Sequence, residues 1–455
     1  MTMQVRADDK KEGIIRKDDL RFAFEISPAR RESASAQPMN NEEGRTGGAP
    51  KWTGALDRAV AEIRPRLVEI RRHLHRNPEP SGAEVETTRY LRGILCEAGI
   101  ESRPGPEGRG AVIDSATVNG GGRVALRGDI DALFIQDAKE CDYRSRVPGV
   151  MHACGHDAHA ACLVGSVLVM EQLRREGHLP WAVPWRAILQ PAEETATGAR
   201  EMIASGAMED VVGIFALHLD PSRELGGIGL RNGAFTASCD EFEIHVHGRG
   251  GHGARPHETL DPIAAAAQLI CAFYQMLPRR LNRQEPVVAT VGEISGGHSA
   301  NVIPESAEMK GTLRTLNEKS RAAAKEAMAD IVAGMAKTTG CRIDLTFPLG
   351  CPGVMNDVAM NDCLRAAATT FPEGLAVEEM AHSSMGGEDF AEYTQMVPGA
   401  MFRLGCRPAS GCGTLHSPHF DLDERALAIG VRLLTRAVIL RARGLSVENL
   451  PSDEG

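Results

Sequence analysis

The run Met151-His152-Ala153-Cys154-Gly155-His156-Asp157-Ala158-His159 holds three histidines, one cysteine and one aspartate. Thiolate and imidazole are ligands for zinc and similar divalent ions. Gly155 lets the backbone bend between Cys154 and His156, so both can turn toward one ion ahead of the next helix. The same run also suits a helix N-terminus, with Asp157 as cap and the histidines as solvated polar residues. A second group, Gln190-Pro191-Ala192-Glu193-Glu194, follows an apolar stretch. Two adjacent carboxylates can divide the work, one binding metal while the other moves protons. An acidic helix start, favoured by the helix dipole, would look the same. His218 closes the apolar run Gly213–Leu219, and His416 lies in Leu415-His416-Ser417-Pro418-His419-Phe420. Each of these alone reads as an ordinary buried or solvated histidine.

The elements that carry them change the odds. Short apolar runs at Arg123–Arg127, Trp185–Gln190, Gly213–Leu219 and Gly399–Gly405 read as strands, and helical spacing lies between them. The helical stretches are Asp57–Asn77, Glu84–Ala98, Ala158–Arg175, Ala199–Gly206, Asn361–Thr370 and Asp423–Gly444. Strands alternating with helices predict an α/β fold with a mostly parallel sheet flanked by helices. In such sheets the ligand crevice lies beyond the strands' carboxyl ends. Asp129, Asp131, Glu193, Glu194 and His218 all follow strands. Cys154, His156, Glu194, His218 and His416 could therefore converge. Five ligands exceed one tetrahedral ion, so the expectation is a two-metal site with a bridging water.

Residues 234–348 read as a separate inserted unit. Phe242, Ile244 and Val246 alternate with polar residues, including His245 and His247 on the solvent side. Helix Leu260–Leu277, strands Pro286–Glu293 and Glu308–Thr315, helix Glu318–Thr339 and strand Cys341–Phe347 complete a ferredoxin-like βαββαβ order. The expected organisation is a tail at 1–50, a catalytic α/β part at 51–233 and 349–455, and the insert between. The tail carries nine basic and nine acidic side chains with little apolar content, so it is expected to be disordered.

Composition narrows the class. The 455 residues are 42% hydrophobic and 25% charged, with a net charge of −10, which argues against a nucleic-acid surface. No apolar run reaches the roughly 18 residues of a membrane span, and no apolar leader opens the chain. Eleven scattered cysteines suit free thiols in the cytoplasm, with no disulfide between Cys406 and Cys412. Gly120-Gly121-Gly122 lacks a following Lys-Ser/Thr and reads as a tight turn.

The segments GVMHACGHDAH, LQPAEE, ALHLDP, GRGGHGARPH, SANVIP, GTLRTL, GGEDF and LHSPHF occur in order between about Asp57 and Gly444. Together they resemble the amidohydrolase branch of a co-catalytic metallopeptidase family. That branch includes N-acyl-amino-acid amidohydrolases, hippurate hydrolase, auxin-conjugate hydrolases and related carboxypeptidases. The resemblance implies metal ligands at Cys154, His156, Glu194, His218 and His416, with Glu193 as general base and Asp131 as a supporting carboxylate. It implies that His252 reaches across a homodimer formed by the insert to polarise the scissile carbonyl, and that Asn301 and Arg314 contact the substrate's carboxylate end. Two divalent ions per subunit are implied. The thiolate favours zinc, and manganese, cobalt or nickel also fit. The expected substrate is an N-acyl amino acid or similar conjugate. A carboxypeptidase or dipeptidase acting on short peptides, and a silent binding protein on the same fold, are the alternatives. Phe134 departs from the pattern, since relatives usually have proline there.

Overall fold

In a computed structural model, residues 50–116 and 122–447 are described. The expected tail up to residue 49 and Gly120-Gly121 of the turn lie outside the described residues.

One sheet has eight strands. In chain order these are β1 (Arg103–Pro104), β2 (Ala111–Asp114), β3 (Arg123–Asp129), β4 (Trp185–Gln190), β5 (Val211–Asp220), β6 (Ile228–Leu230), β16 (Val377–Glu379) and β17 (Gly399–Gly405). Their spatial order is β1-β2-β4-β3-β5-β17-β6-β16. The central β4, β3, β5 and β17 run parallel. Antiparallel pairings add β2 and β1 on one side and β6 on the other. The central strands read as continuous apolar runs because both faces are covered. Helices α1 (Lys51–Arg76), α3 (His156–Arg175) and α9 (Arg425–Val447) cover one face, burying Leu67, Leu163, Phe402 and Val431 together. The other face buries Met202 of α4 (Gly198–Ala204) and Phe390 and Tyr393 of α8 (Phe390–Thr394) with Ile214, Phe235 and Met401. Helices α2 (Val85–Glu97) and α7 (Val358–Thr369) pack at the periphery.

A second sheet is antiparallel throughout. Its strands are β8 (Ser238–His247), β10 (Val287–Gly296), β12 (Ser306–Thr315), β13 (Arg342–Thr346) and β14 (Gly350–Cys351), in the order β10-β12-β8-β13 with β14 also on β8. Helices α5 (Pro262–Arg280) and α6 (Glu318–Thr339) bury Leu269, Phe273, Met328 and Ile331 against Phe242, Ile244 and Val246. The chain order from β8 to β13 is the βαββαβ pattern expected from the sequence. Local signals explain the boundaries. Asp261 accepts hydrogen bonds from the Ile263 and Ala264 amides ahead of α5, Asn317 caps α6, and Gly340 ends it with φ 75°. His245 and His247 take the half-exposed positions of β8, near Glu308 and Asp344 respectively. Two short pairs remain: β9 (Gly251–His252) with β11 (Val302–Ile303), and β7 (Gly233–Ala234) with β15 (Met355–Asn356).

The strands Trp185–Gln190 and Gly399–Gly405 and the helix Glu318–Thr339 span the residues their patterns predict. Helix α1 instead starts at Lys51, six residues early, and carries Pro65 inside it. The short β6 and β16 escape sequence reading because three residues carry no period. All eleven cysteines are free thiols. No described helix is long and apolar enough to cross a membrane.

Candidate metal centre

The polar residues of the Met151–His159 run separate by role. Gly155 stands at φ 89°, a left-handed conformation natural to glycine, and turns the chain into α3. Cys154 and His156 thereby face the carboxyl ends of the central strands. Asp157 does not cap the helix. It is fully buried, accepting from Arg71 Nε at 2.9 Å and pairing with His75 Nδ1 at 2.7 Å, because a buried guanidinium draws the carboxylate inward. His159 is committed at both nitrogens. Its Nδ1 donates to Asp129 Oδ1 at 2.7 Å, and its Nε2 accepts from the Leu219 amide at 3.0 Å. His152 is buried with neither ring nitrogen hydrogen-bonded among the described residues.

Around Cys154 the donors close in. Its Sγ lies 3.3 Å from His416 Nε2 and 3.6 Å from His218 Nε2. Glu194 Oε1 lies 3.4 Å from His416 Nε2 and 3.9 Å from His156 Nε2. Donor atoms of Cys154, His156 and Glu194 all fall within 4.8 Å of one another. Metal–ligand bonds of about 2.0–2.3 Å at tetrahedral angles separate ligand atoms by about 3.3–3.8 Å. The shortest contacts therefore match the edges of coordination polyhedra. The structure brings all five residues to one place, on segments that span more than half the chain.

Two of the three imidazoles are oriented from behind. His156 Nδ1 donates to Asp131, with Oδ1 at 3.0 Å, and His218 Nδ1 donates to the Leu219 carbonyl at 2.8 Å. Both leave the Nε2 lone pair facing the cluster. Asp131 also accepts from Ser81 Oγ at 2.6 Å and from the Glu194 amide at 3.0 Å. One buried carboxylate thus fixes a histidine and the backbone of its neighbouring glutamate. The turn carrying Glu193 and Glu194 is strained, with Ala192 at φ 52° and Ala196 at φ 54°, and His416 sits at φ 60°. Such conformations cost of order 1–3 kcal/mol each and persist only where surroundings enforce them. Here Glu84 Oε1 holds the Ala192 amide at 2.7 Å. A Cβ on Gly198 would fall 1.6 Å from the Pro191 carbonyl oxygen, so that position admits only glycine.

Behind the cluster lies an acidic layer in which the sequence assigned a task to Glu193 alone. Glu193, Glu388 and Asp389 place carboxylate oxygens within 4.8 Å of one another. Arg127, almost fully buried, pairs with Asp129, with Glu388 at 3.0 Å and with Asp389 at 2.8 Å. Gln190 and the Ala199 amide complete the donors to Asp389. The acid pair in GGEDF was the available signal. Arg127, inside an apolar strand, gave none.

The donor set fits divalent cations. Glu194 Oε1 is buried and, among the described residues, is met only by the 3.4 Å approach of His416 Nε2, which is costly unless a cation joins it. Burial pushes the Cys154 thiol up to about 12, so its proton leaves near neutrality only in exchange for a Lewis acid. Burial, then Glu388 and Glu194, raise the Glu193 carboxyl well above the usual range. Bound cations would oppose that shift.

Residues 125–440 match the model of peptidase family M20/M25/M40. The chain belongs to this family. It is 38% identical over 379 residues to an N-acetylcysteine deacetylase of Bacillus subtilis, covering 82% of this chain and 96% of that protein. It is 33% identical over 376 residues to an IAA-amino acid hydrolase of Arabidopsis thaliana, covering 81% and 83%. A dinuclear metal-binding M20 peptidase of Bacillus subtilis superposes with a TM-score of 0.71 at 35% identity, covering 84% of this chain and 99% of that one. The chain is accordingly a metal-binding hydrolase of the amidohydrolase type.

The remaining predicted residues lie on the antiparallel sheet and its short strands, with no hydrogen bond to the cluster. His252, opposite Val302 in the β9–β11 pair, and Asn301 are exposed and linked through the Gly253 amide and Asn301 carbonyl at 2.8 Å. Arg314 lies apart from them, with Nη1 donating to the Met385 carbonyl at 2.8 Å. Phe134 is 80% exposed and has no part in the buried network.

The Asp131 linkage gives a direct test. Replacing Asp131 with Asn substitutes a donor for one of the acceptors serving His156, Ser81 and the Glu194 amide. Metal affinity is expected to fall about 10–100-fold, read by competition with a chromogenic chelator. An unchanged affinity would remove Asp131 from the support of the centre.

Proposed function

We propose that the protein hydrolyses the amide bond of N-acyl amino acids or similar conjugates, with Cys154, His156, Glu194, His218 and His416 as metal ligands. The tetrahedral-edge spacing around Cys154, with the Glu193 carboxylate alongside, carries this reading. The contacts of Cys154 with both His218 and His416 suit a donor set that would hold two divalent ions. A thiolate in the set favours zinc, with manganese, cobalt or nickel also compatible.

Divalent ions, when bound, supply Lewis acidity that polarises the amide carbonyl and brings water ionisation toward neutral pH. Glu193, with Oε2 3.9 Å from His156 Nε2, accepts the proton of the attacking water. It then delivers that proton to the departing nitrogen, because an amine leaves only when protonated. Asp131 keeps His156 and Glu194 in place during both transfers.

His252 is the proposed donor to the oxyanion. Its Nδ1 accepts from the Ala254 amide at 3.0 Å, so the neutral ring carries its proton on Nε2 as a donor. It sits on the unit we assign to residues 234–348, which we propose mediates a homodimer that presents His252 to the partner's cleft. The edge strand β10 supports this, with Val288 41% and Ile294 52% exposed. Asn301 and Arg314 would receive the substrate's carboxylate, Arg314 through the nitrogens not bound to Met385. Free thiols throughout suit a cytoplasmic setting.

Three measurements test this reading. Glu193→Gln should keep its metal while turnover falls roughly 10²–10⁴-fold. Activity within threefold of the parent would exclude Glu193 as the base. His252→Ala should lower turnover with metal content and dimer mass intact. A fully active monomer by light scattering would end the cross-dimer role. Finally, N-acyl amino acids should be cleaved much faster than their amides. Losing Arg314 should cost about 1.5–3 kcal/mol of that discrimination, the worth of a charge-assisted hydrogen bond. Equal rates for acid and amide forms, or faster cleavage of dipeptides, would favour a different amide substrate.

A further inference from the structure

Arg403 stands half-buried beside His218, with no hydrogen-bond or ion-pair partner among the described residues. It lies in β17, in parallel register with His218 of β5, so the two side chains share one face of the sheet. Its neighbours along that face, Met401 and Ala216, belong to the buried cluster around Phe235. The guanidinium carbon lies 5.7 Å from the centre of the Phe235 ring. Among the described residues it makes no hydrogen bond and no ion pair.

The nearby carboxylates are already taken. Asp220 pairs with Arg223 at 3.1 Å and accepts from Ser222, and Glu388 pairs with Arg127 at 3.0 Å. The buried arginines of the described residues hold carboxylates: Arg71, Arg109 and Arg127 pair with three each, Arg186 with Asp114 and Arg436 with Asp57. Among the described residues, Arg403 offers a free planar fork beside the proposed reaction centre. Burial lowers its pKa from the usual arginine value, against the pull of Asp220, Glu388 and Cys154, yet it remains charged at any physiological pH. An unpaired, poorly solvated guanidinium is costly unless an anion arrives to meet it.

We propose that Arg403 is a specificity-determining residue that binds a second carboxylate of the substrate, beyond the one assigned to Arg314. The inference rests on the amidohydrolase reading and narrows its substrate class to dianionic N-acyl amino acids. The second carboxylate belongs either to a dicarboxylic acyl group or to an acidic amino-acid side chain. Both present the same planar acceptor to the fork. Phe235 offers the guanidinium a cation–π contact on one side, and the planar fork suits bidentate capture of a carboxylate.

The experiment compares kcat/KM within matched pairs on the metal-loaded enzyme. One arm pairs N-acetyl-L-glutamate with N-acetyl-L-glutamine. The other pairs N-succinyl-L-alanine with the analogue whose distal carboxylate is a primary amide. The parent should prefer the charged member of one pair by at least about tenfold, as one charge-assisted hydrogen bond allows, and the arm that responds identifies the source. Arg403→Gln should bring that ratio to near one. Arg403→Lys, which keeps charge but loses the fork, should retain only part of it and serves if the glutamine variant does not fold. Ratios below threefold in both arms of the parent, or ratios unchanged in the variants, would overturn the proposal. N-acetyl-L-alanine reports separately on the amidohydrolase reading. If no amide in the panel is cleaved, calorimetric binding of glutarate against its monoamide decides for Arg403 alone. Tighter glutarate binding in the parent, lost in Arg403→Gln, upholds the anion site, and equal binding overturns it.

Discussion

The arrangement depends on holding like charges together at one end of a sheet. Asp129, Asp131, Glu193, Glu194, Glu388 and Asp389 all crowd the carboxyl ends of β3 and β4 and the turns beyond, largely out of water. Desolvated carboxylates repel one another and are costly to bury singly. One guanidinium, Arg127, neutralises the inner layer by pairing with three of them, and Gln190 ties the strand end to Asp389. The outer layer, Cys154 and Glu194 with three histidines, has no arginine ion-paired to its carboxylate among the described residues. Divalent ions at the proposed ligands would balance it. On the proposed reading the fold is compensated from within on one side and by its cofactor on the other.

Orientation follows the same economy of partners. The imidazoles of His156 and His218 reach the cluster through Nε2 because Nδ1 is occupied, by Asp131 in one case and a main-chain carbonyl in the other. His159 shows what the opposite commitment does. With both nitrogens engaged it becomes a strut, holding Asp129 and the backbone one residue beyond His218. Three histidines within eight residues thus take three different fates. Hydrogen-bond partners far away in sequence decide among them.

That explains what could be read from residues alone and what could not. The α/β alternation, the βαββαβ order and the five soft donors are local or periodic, and they are visible in the chain. The identity of Cys154, His156, Glu194, His218 and His416 as neighbours needed only the rule that strands end on one side of a sheet. Asp157 was legible as a helix cap, and it became a buried partner of Arg71 because a helix 86 residues earlier delivers a guanidinium there. Arg127, Glu84 and Ser81 carry no motif at all. Their roles arise from contacts with single atoms of distant turns, which no spacing encodes. The strain at Ala192, Ala196 and His416 was equally hidden, since neither alanine nor histidine advertises positive φ.

The distances along the chain have an energetic consequence. The cluster joins residues from Cys154 to His416, supported by Ser81 and Glu84 further upstream. No fragment of the unfolded chain can present this set, because closing such loops costs entropy before any ligand contact repays it. A cation that binds the native arrangement and not the unfolded chain then adds its binding free energy to folding stability. The strained turns, the buried orphan oxygen of Glu194 and the crowded carboxylates are tolerable on this view because the same cations stabilise all three. Chemistry and stability share one centre: the features that make the site reactive are those that a metal-free chain would find most expensive to keep.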